Sequence, residues 1–123
     1  MSKPLHLTRN EDYQRVYTKG KSHSNRYFVM YCLKNELSEN RYGISVSKKV
    51  GNSVVRHRIT RLCREVFRLN QGLFNSGLDI VVIGRTGSKG IGYEIAREAI
   101  ISLAEKSGII RCNEGQNSTD RLD

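Results

Sequence analysis

The 123-residue chain contains no tryptophan, a single proline and three cysteines, and its aromatic residues are limited to six Tyr and three Phe. So few large apolar side chains must serve one small core. A domain takes roughly 100 to 200 residues, and one of this size buries about two thirds of the surface that its unfolded chain exposes. Cys32, Cys63 and Cys112 are odd in number and form no C-x-x-C pair, which argues against a disulfide framework and predicts a reducing compartment. Long apolar runs are missing as well. The longest, Tyr27 to Leu33, falls far short of the ~20 residues of a membrane span, and MSKPLHLTRN lacks the layout of a secretory signal. The expectation is a soluble, cytoplasmic protein without membrane association.

Acidic residues are scarce in one half only. Residues 1–68 hold 15 basic and 5 acidic side chains, whereas residues 69–123 hold 6 and 7, so the whole surplus behind the net charge of +9 lies in the first part. A field that lopsided suits a polyanion, with nucleic acid the first candidate and an anionic membrane the second.

Thr8 followed by Glu11 has the spacing of a capping box and predicts a helix from about Arg9 to Lys19, ending at Gly20, with Tyr13, Val16 and Tyr17 on one face. A short segment at Lys21 to Ser24 is a doubtful strand. Tyr27 to Leu33 is rich in β-formers and predicts a strand covered on both faces, with Tyr27, Val29, Tyr31 and Leu33 on one side. In the next strand, Tyr42 to Ser47, Ile44 and Val46 oppose Gly43, Ser45 and Ser47, so one face is apolar and the other leaves space above it. Asn52 and Ser53 are good caps for a helix from about Val54 to Leu69. A strand over Leu78 to Gly84 and a helix over Gly92 to Lys106, carrying Ile95, Ala99 and Leu103 at helical spacing, complete the order αβββαβα. The fold class is α+β: one two-layer domain over residues 1–112 with a mixed four-stranded sheet and three helices. Residues 113–123 have almost nothing to bury and predict a disordered tail.

The helix after Asn52 carries the strongest signal. On a wheel, Val55, Ile59, Leu62, Cys63, Val66 and Leu69 form one apolar stripe that must pack on the sheet. His57, Arg61, Arg64 and Arg68 gather on the opposite side, Arg56 and Arg58 flank the stripe, and Glu65 is the only acid. Arg58/Arg61, Arg61/Arg64 and Arg64/Arg68 repel at i, i+3 or i+4 by a few tenths of a kcal/mol per pair. Phosphate would neutralise them, because the planar guanidinium donates two parallel hydrogen bonds.

The stretch Gly43-Ile-Ser-Val-Ser-Lys-Lys-Val-Gly-Asn-Ser-Val-Val-Arg-His-Arg-Ile-Thr-Arg-Leu-Cys-Arg-Glu resembles the arginine-rich signature of the bacterial ribonuclease P protein subunit. The resemblance extends to Asn10-Glu-Asp-Tyr-Gln-Arg-Val-Tyr, Asn25-Arg-Tyr-Phe-Val-Met-Tyr and Asp79-Ile-Val-Val-Ile-Gly-Arg. His57 stands where that family commonly has Asn, and Thr60 where Lys is frequent. The resemblance implies a left-handed crossover and a small protein bound to a larger catalytic RNA that cleaves the 5′ leader from precursor tRNA. By matching positions, Lys48, Lys49, Asn52, Arg56, His57, Arg58, Arg61, Arg64 and Arg68 would face the catalytic RNA. The single-stranded leader would lie in a cleft with Tyr13, Tyr17 and Tyr31, near Val29 and Ser47. Aromatic faces bind unpaired bases by stacking with little sequence preference, although Tyr13, Val16 and Tyr17 are also spaced as an ordinary helix packing on a sheet.

Catalytic chemistry is not apparent. Thr86-Gly-Ser-Lys-Gly-Ile-Gly imitates a glycine-rich nucleotide loop, but its spacing is neither G-x-G-x-x-G nor the phosphate-cradling loop with Gly-Lys. It is expected to be a flexible connection in which Arg85 and Lys89 are candidate RNA contacts. His6, His23 and His57 fall in a tail, a loop and the basic helix, Cys63 lies in an apolar stripe, and the acids form no metal cage. The sequence predicts no catalytic residue, no metal site and no small-molecule cofactor of its own, with Mg²⁺ held mainly by the RNA in the holoenzyme. The competing reading is a non-catalytic ribosome-associated or DNA-binding protein that lays the same helix along a duplex.

Overall fold

The computed structural model describes residues 5–110; the expected tail and Cys112 lie outside the described residues. In chain order the elements are β1 (Leu5–His6), α1 (Asn10–Lys19), β2 (Lys21–Ser24), β3 (Phe28–Lys34), β4 (Arg41–Val46), α2 (Ser53–Leu69), β5 (Leu78–Gly84) and α3 (Tyr93–Ser107), with 3-10 turns at Gln71–Leu73 and Thr86–Ser88. The sheet is mixed, in the order β1-β4-β5-β3-β2. β4 and β5 run parallel, joined through α2, and β3 pairs antiparallel with both β5 and β2.

The α+β class and the three helices agree with the sequence expectation, while the strand count is five rather than four. The extra strand, β1, is two residues long and lies parallel to β4 through Leu5↔Arg41 and His6↔Tyr42, too short for a period of two to be visible. His6 therefore sits in a strand rather than a tail, and His23 lies in β2 rather than a loop. The capping box does not form: Arg9 is the N-cap of α1, without a side-chain cap bond. The N–H groups of Asp12 and Tyr13 use the Arg9 carbonyl, and Glu11 pairs loosely with Arg9 at 3.8 Å. At α2 the expected cap is present, with Asn52 Oδ1 accepting from the Val55 N–H at 3.0 Å.

The period of two divides the core. Phe28, Met30, Cys32, Ile80 and Val82 face α2 and α3, together with Ile59, Cys63, Val66, Phe67, Ala96, Ile100 and Leu103. Val81 points the other way, toward Val16 of α1 and Leu7, with Tyr31, Leu33 and Ile83 beside it. α1 thus adds a partial layer on the second face of the sheet, beyond the two layers expected. The α2 stripe is rotated from its predicted position: Phe67 is 1 % exposed and Leu69 is 46 % exposed. Phe67 is drawn inward by an aromatic cluster, stacking on Tyr42 at 4.3 Å and meeting Phe74 at 5.6 Å, pairs worth about 0.5–1.5 kcal/mol each beyond their area. On α3, Ile95 is exposed and the buried stripe runs through Ala96, Ala99, Ile100, Leu103 and Ala104.

The glycine-rich connection after β5 is pinned rather than flexible. Ser88 is fully buried, and its hydroxyl donates to the Arg85 carbonyl at 2.6 Å. A Cβ at Gly87 would collide with the Arg26 carbonyl oxygen. Arg58 donates to the Ile91 carbonyl at 2.8 Å, tying the connection to α2.

Candidate nucleic-acid interface

The basic face of α2 divides by what each side chain already holds. Arg61 and Arg64 are exposed, and among the described residues neither makes an ion pair; His57, Lys48 and Lys49 are exposed beside them. The other predicted contacts also support local structure. Arg56 Nε donates to the Gly51 carbonyl at 3.2 Å, Arg58 is tied to Ile91, and Asn52 caps the helix. Arg68 is taken by Glu65 in two bonds of 2.5 and 3.1 Å, which hold the Glu65 carboxyl below and the Arg68 guanidinium above their usual ranges. Thr60 is turned onto its own helix, donating to the Arg56 carbonyl at 2.9 Å. No acid lies in the first turn of α2, so the positive end of its dipole adds to the charge of Lys48 and Lys49. A depression of ≈ 790 Å³ follows the helix past Ser53, His57, Arg61 and Leu62.

The second predicted surface lies on the other face of the sheet. α1 has 10 residues, hence a length of about 15 Å at 1.5 Å per residue, and it is too short to cover five strands spaced about 4.8 Å apart. Ser45 and Ser47 remain exposed, and Val29 and Ile83 are half-buried. Along the margin of this open floor stand Tyr13, Tyr17 and Tyr31, all half-buried. Tyr17 lies edge-on to Tyr31 at 5.1 Å and 6.3 Å from Tyr13. Burial raises the Tyr17 pKa, with Tyr13 and Tyr31 adding to it, so the Tyr17 hydroxyl stays neutral at physiological pH and presents no negative charge to an anionic ligand. Burial also raises the Tyr13 pKa, opposed by the Ile44 backbone and by the nearby Arg64 guanidinium. The small face with Ser45 and Ser47 is open as the sequence predicts, whereas Ile83 was missed as a floor residue. Ile83 shares the parity of Val81, but the unbroken apolar run Ile80-Val81-Val82-Ile83 hides which face of β5 is left open.

An ion-pair network, also missed, anchors α1 over this floor. Arg41 donates to the fully buried Asp79 through Nε at 2.8 Å and through Nη2 at 2.7 Å. Arg15 reaches both Asp79 at 3.3 Å and Asp12 at 3.0 Å, Arg41 approaches Asp12 at 3.5 Å, and Asn35 Nδ2 donates to Asp79 at 2.9 Å. Burial by itself would push the Asp79 carboxyl up, and it is the largest single influence, but Arg41, Asn35 and Arg15 together hold it below the usual carboxylate range.

Nucleophile and metal candidates are confined. Burial pushes the Cys63 thiol up to about 12 and raises that of Cys32. Among the described residues, no group of three or more His, Cys, Asp or Glu side chains is placed to hold a metal ion, and no helix is long and apolar enough to cross a membrane.

Fold and surface together define a small basic α+β protein whose exposed arginines and half-open aromatic floor are suited to a polyanion carrying flat bases. The Ribonuclease P family model matches residues 1–108, and the chain belongs to the ribonuclease P protein family. It is 56% identical over 108 residues to the ribonuclease P protein component of Lachnoclostridium phytofermentans, covering 88% of this chain and 93% of that one. Identity to the Clostridium acetobutylicum component is 46% over 110 residues, covering 88% and 92%. The Staphylococcus aureus RNase P protein structure superposes with a TM-score of 0.80 at 35% identity, covering 89% of this chain and 100% of that one. For the Thermotoga maritima protein the TM-score is 0.76 at 33% identity, covering 82% and 96%. These relatives support a component of the tRNA-processing endoribonuclease, partnered by its RNA subunit, and not the ribosome-associated or DNA-binding alternative.

Proposed function

We propose that the chain binds the catalytic RNA through the arginine face of α2 and the 5′ leader of precursor tRNA over the Tyr13, Tyr17 and Tyr31 margin, assisting removal of the leader. The observation that carries this reading is the edge-on Tyr17–Tyr31 pair, 5.1 Å apart beside the exposed Ser45 and Ser47, in a chain whose exposed Arg61 and Arg64 make no ion pair among the described residues. A strand stacked on the tyrosines would keep its phosphates within the field of the α2 arginines. Lys48, Lys49, His57, Arg61 and Arg64 are free for phosphate, whereas Arg56, Arg58 and Asn52 shape the helix start that presents them. Leader bases would stack on the rings over a floor of Val29, Ile83, Ser45 and Ser47, a sequence-tolerant mode of binding.

Hydrolysis in this proposal uses Mg²⁺ held mainly by the RNA, as Lewis acid and activator of water. The carboxylates of Asp12, Asp79 and Glu65 are engaged by arginines and suit positioning better than metal binding. The test is precursor affinity of the reconstituted holoenzyme against leader length from zero to about eight nucleotides, a span long enough to load several stacking sites. Protein-dependent affinity should grow with leader length and be lost on Tyr17→Ala; a gain independent of leader length refutes the cleft.

A further inference from the structure

A second concavity, of ≈ 570 Å³, opens where α1 ends, β2 begins and α3 stops. Lys19, Lys21 and Lys34 line it together with Cys32, Leu78 and Ile109, and no acidic residue does. It shares no residue with the α2 face or the tyrosine margin. All three lysines are exposed, and among the described residues none of them makes an ion pair, so their charges are available to an anion in the concavity.

Two structural duties could explain lysines at this position. The first is capping of α3, but its C-terminus is closed by backbone: Gly108, at φ 75°, donates to the Ala104 and Glu105 carbonyls, and the Ile109 N–H also reaches Ala104. The second is protection of an edge strand against unwanted pairing. That suits Lys21 on the edge strand β2 and Lys34, which pairs with Leu78 of β5 and extends past the end of β2, but not Lys19, which belongs to α1. Neither duty explains convergence on one cavity.

We propose that this pocket binds an unpaired RNA nucleotide, its base against Cys32, Leu78 and Ile109 and its phosphate among Lys19, Lys21 and Lys34. The volume falls within the range of about 300–1,000 Å³ typical of small-ligand sites. Lysine serves a single phosphate as a compact point charge, and only an unstacked base can enter a pocket. The choice of RNA rests on the family's RNA partner, while the pocket itself lies outside the interface proposed above.

The experiment is a titration of the full chain, free of RNA, with adenosine 5′-monophosphate, followed by the amide resonances of Lys34, Ser76, Gly108 and Ile109. Saturable shifts at these positions are expected. Lys21→Gln with Lys34→Gln keeps much of the alkyl stems and should weaken binding by about tenfold or more by removing charge-assisted hydrogen bonds, with an unchanged unfolding midpoint. Adenosine and inorganic phosphate should each bind more weakly than the nucleotide. The proposal is overturned by shifts confined to α2, by binding that the double variant leaves intact, or by phosphate binding as tightly as the nucleotide. Because the probe is a mononucleotide on free protein, such a failure leaves the leader-length test of the cleft untouched.

Discussion

The Tyr13 ring lies directly on the backbone of Gly43: a Cβ built on that glycine would come within 2.7 Å of Tyr13 Cε1 and of its hydroxyl oxygen. The space left by the small face of β4 is thus filled at its Gly43 end by the first tyrosine of the margin and stays open at Ser45 and Ser47. The Tyr13 hydroxyl also donates to the Leu7 carbonyl at 3.3 Å, which ties the ring to the chain just before α1.

Gly43→Ala should push the Tyr13 ring off β4. We expect a stability loss of about 1–3 kcal/mol, the usual cost of overpacking, and a loss of precursor affinity that is larger for long leaders than for a one-nucleotide leader, the shortest a stacking site can read. Unfolding in urea beside affinity measured at both leader lengths checks this; equal losses at both lengths place Tyr13 outside the leader path.

Tyr17→Phe keeps the ring face and should bind precursor almost normally. Tyr17→Ala should cost about 1–3 kcal/mol in precursor affinity while leaving mature tRNA binding unchanged. Were the ring ordinary core, the alanine variant would instead lose about 3–5 kcal/mol of folding stability, with assembly and substrate binding failing together. Thermal unfolding measured beside both affinities separates these outcomes.

Arg61→Ala and Arg64→Ala should each weaken assembly with the catalytic RNA and lower the slope of log K against log salt by roughly 0.7 to 0.9 for each phosphate that is no longer neutralised. Arg68→Ala should change the slope less, since Glu65 already holds that guanidinium. Glu65→Gln should tighten assembly by freeing Arg68 and removing a negative charge. A salt titration of the four variants tests the ranking, and an Arg68→Ala effect equal to that of Arg61→Ala would contradict it.

The Asp79 network makes a pH-dependent contribution of defined sign. The Asp79 carboxyl is held low in the folded protein, so its stabilisation is complete above the unfolded value of about 3.9 and is lost as pH falls through the lower folded value. Asp79→Asn should therefore cost about 3 kcal/mol at neutral pH by leaving Arg41 without its buried partner, and the gap from wild type should narrow under acid conditions. Urea unfolding of both proteins at neutral and acid pH provides the comparison; a gap that widens toward acid would contradict the direction.

Local pattern determined much of this protein. The apolar positions of α2 from Val55 to Val66 recur at helical spacing, and Asn52 satisfies a donor three residues away, so both features could be read from neighbours in the chain. The arginines opposite that stripe, the alternation in β4 and the charge imbalance between the two halves are likewise properties of sequence order. Tertiary structure decided how each charge is used. Arg58 is occupied because Ile91, 33 residues further on, presents its carbonyl; Arg41 and Arg15 are fixed because Asp79 arrives from another strand. It also turned Phe67 inward and Leu69 outward, since the position of Tyr42 and Phe74 selects which edge of the stripe is buried. The open floor beside Tyr17 and Tyr31 depends on where a ten-residue helix stops on a five-stranded sheet. Periodicity specifies which face of an element is apolar, but which part of that face stays uncovered depends on partners distant in sequence.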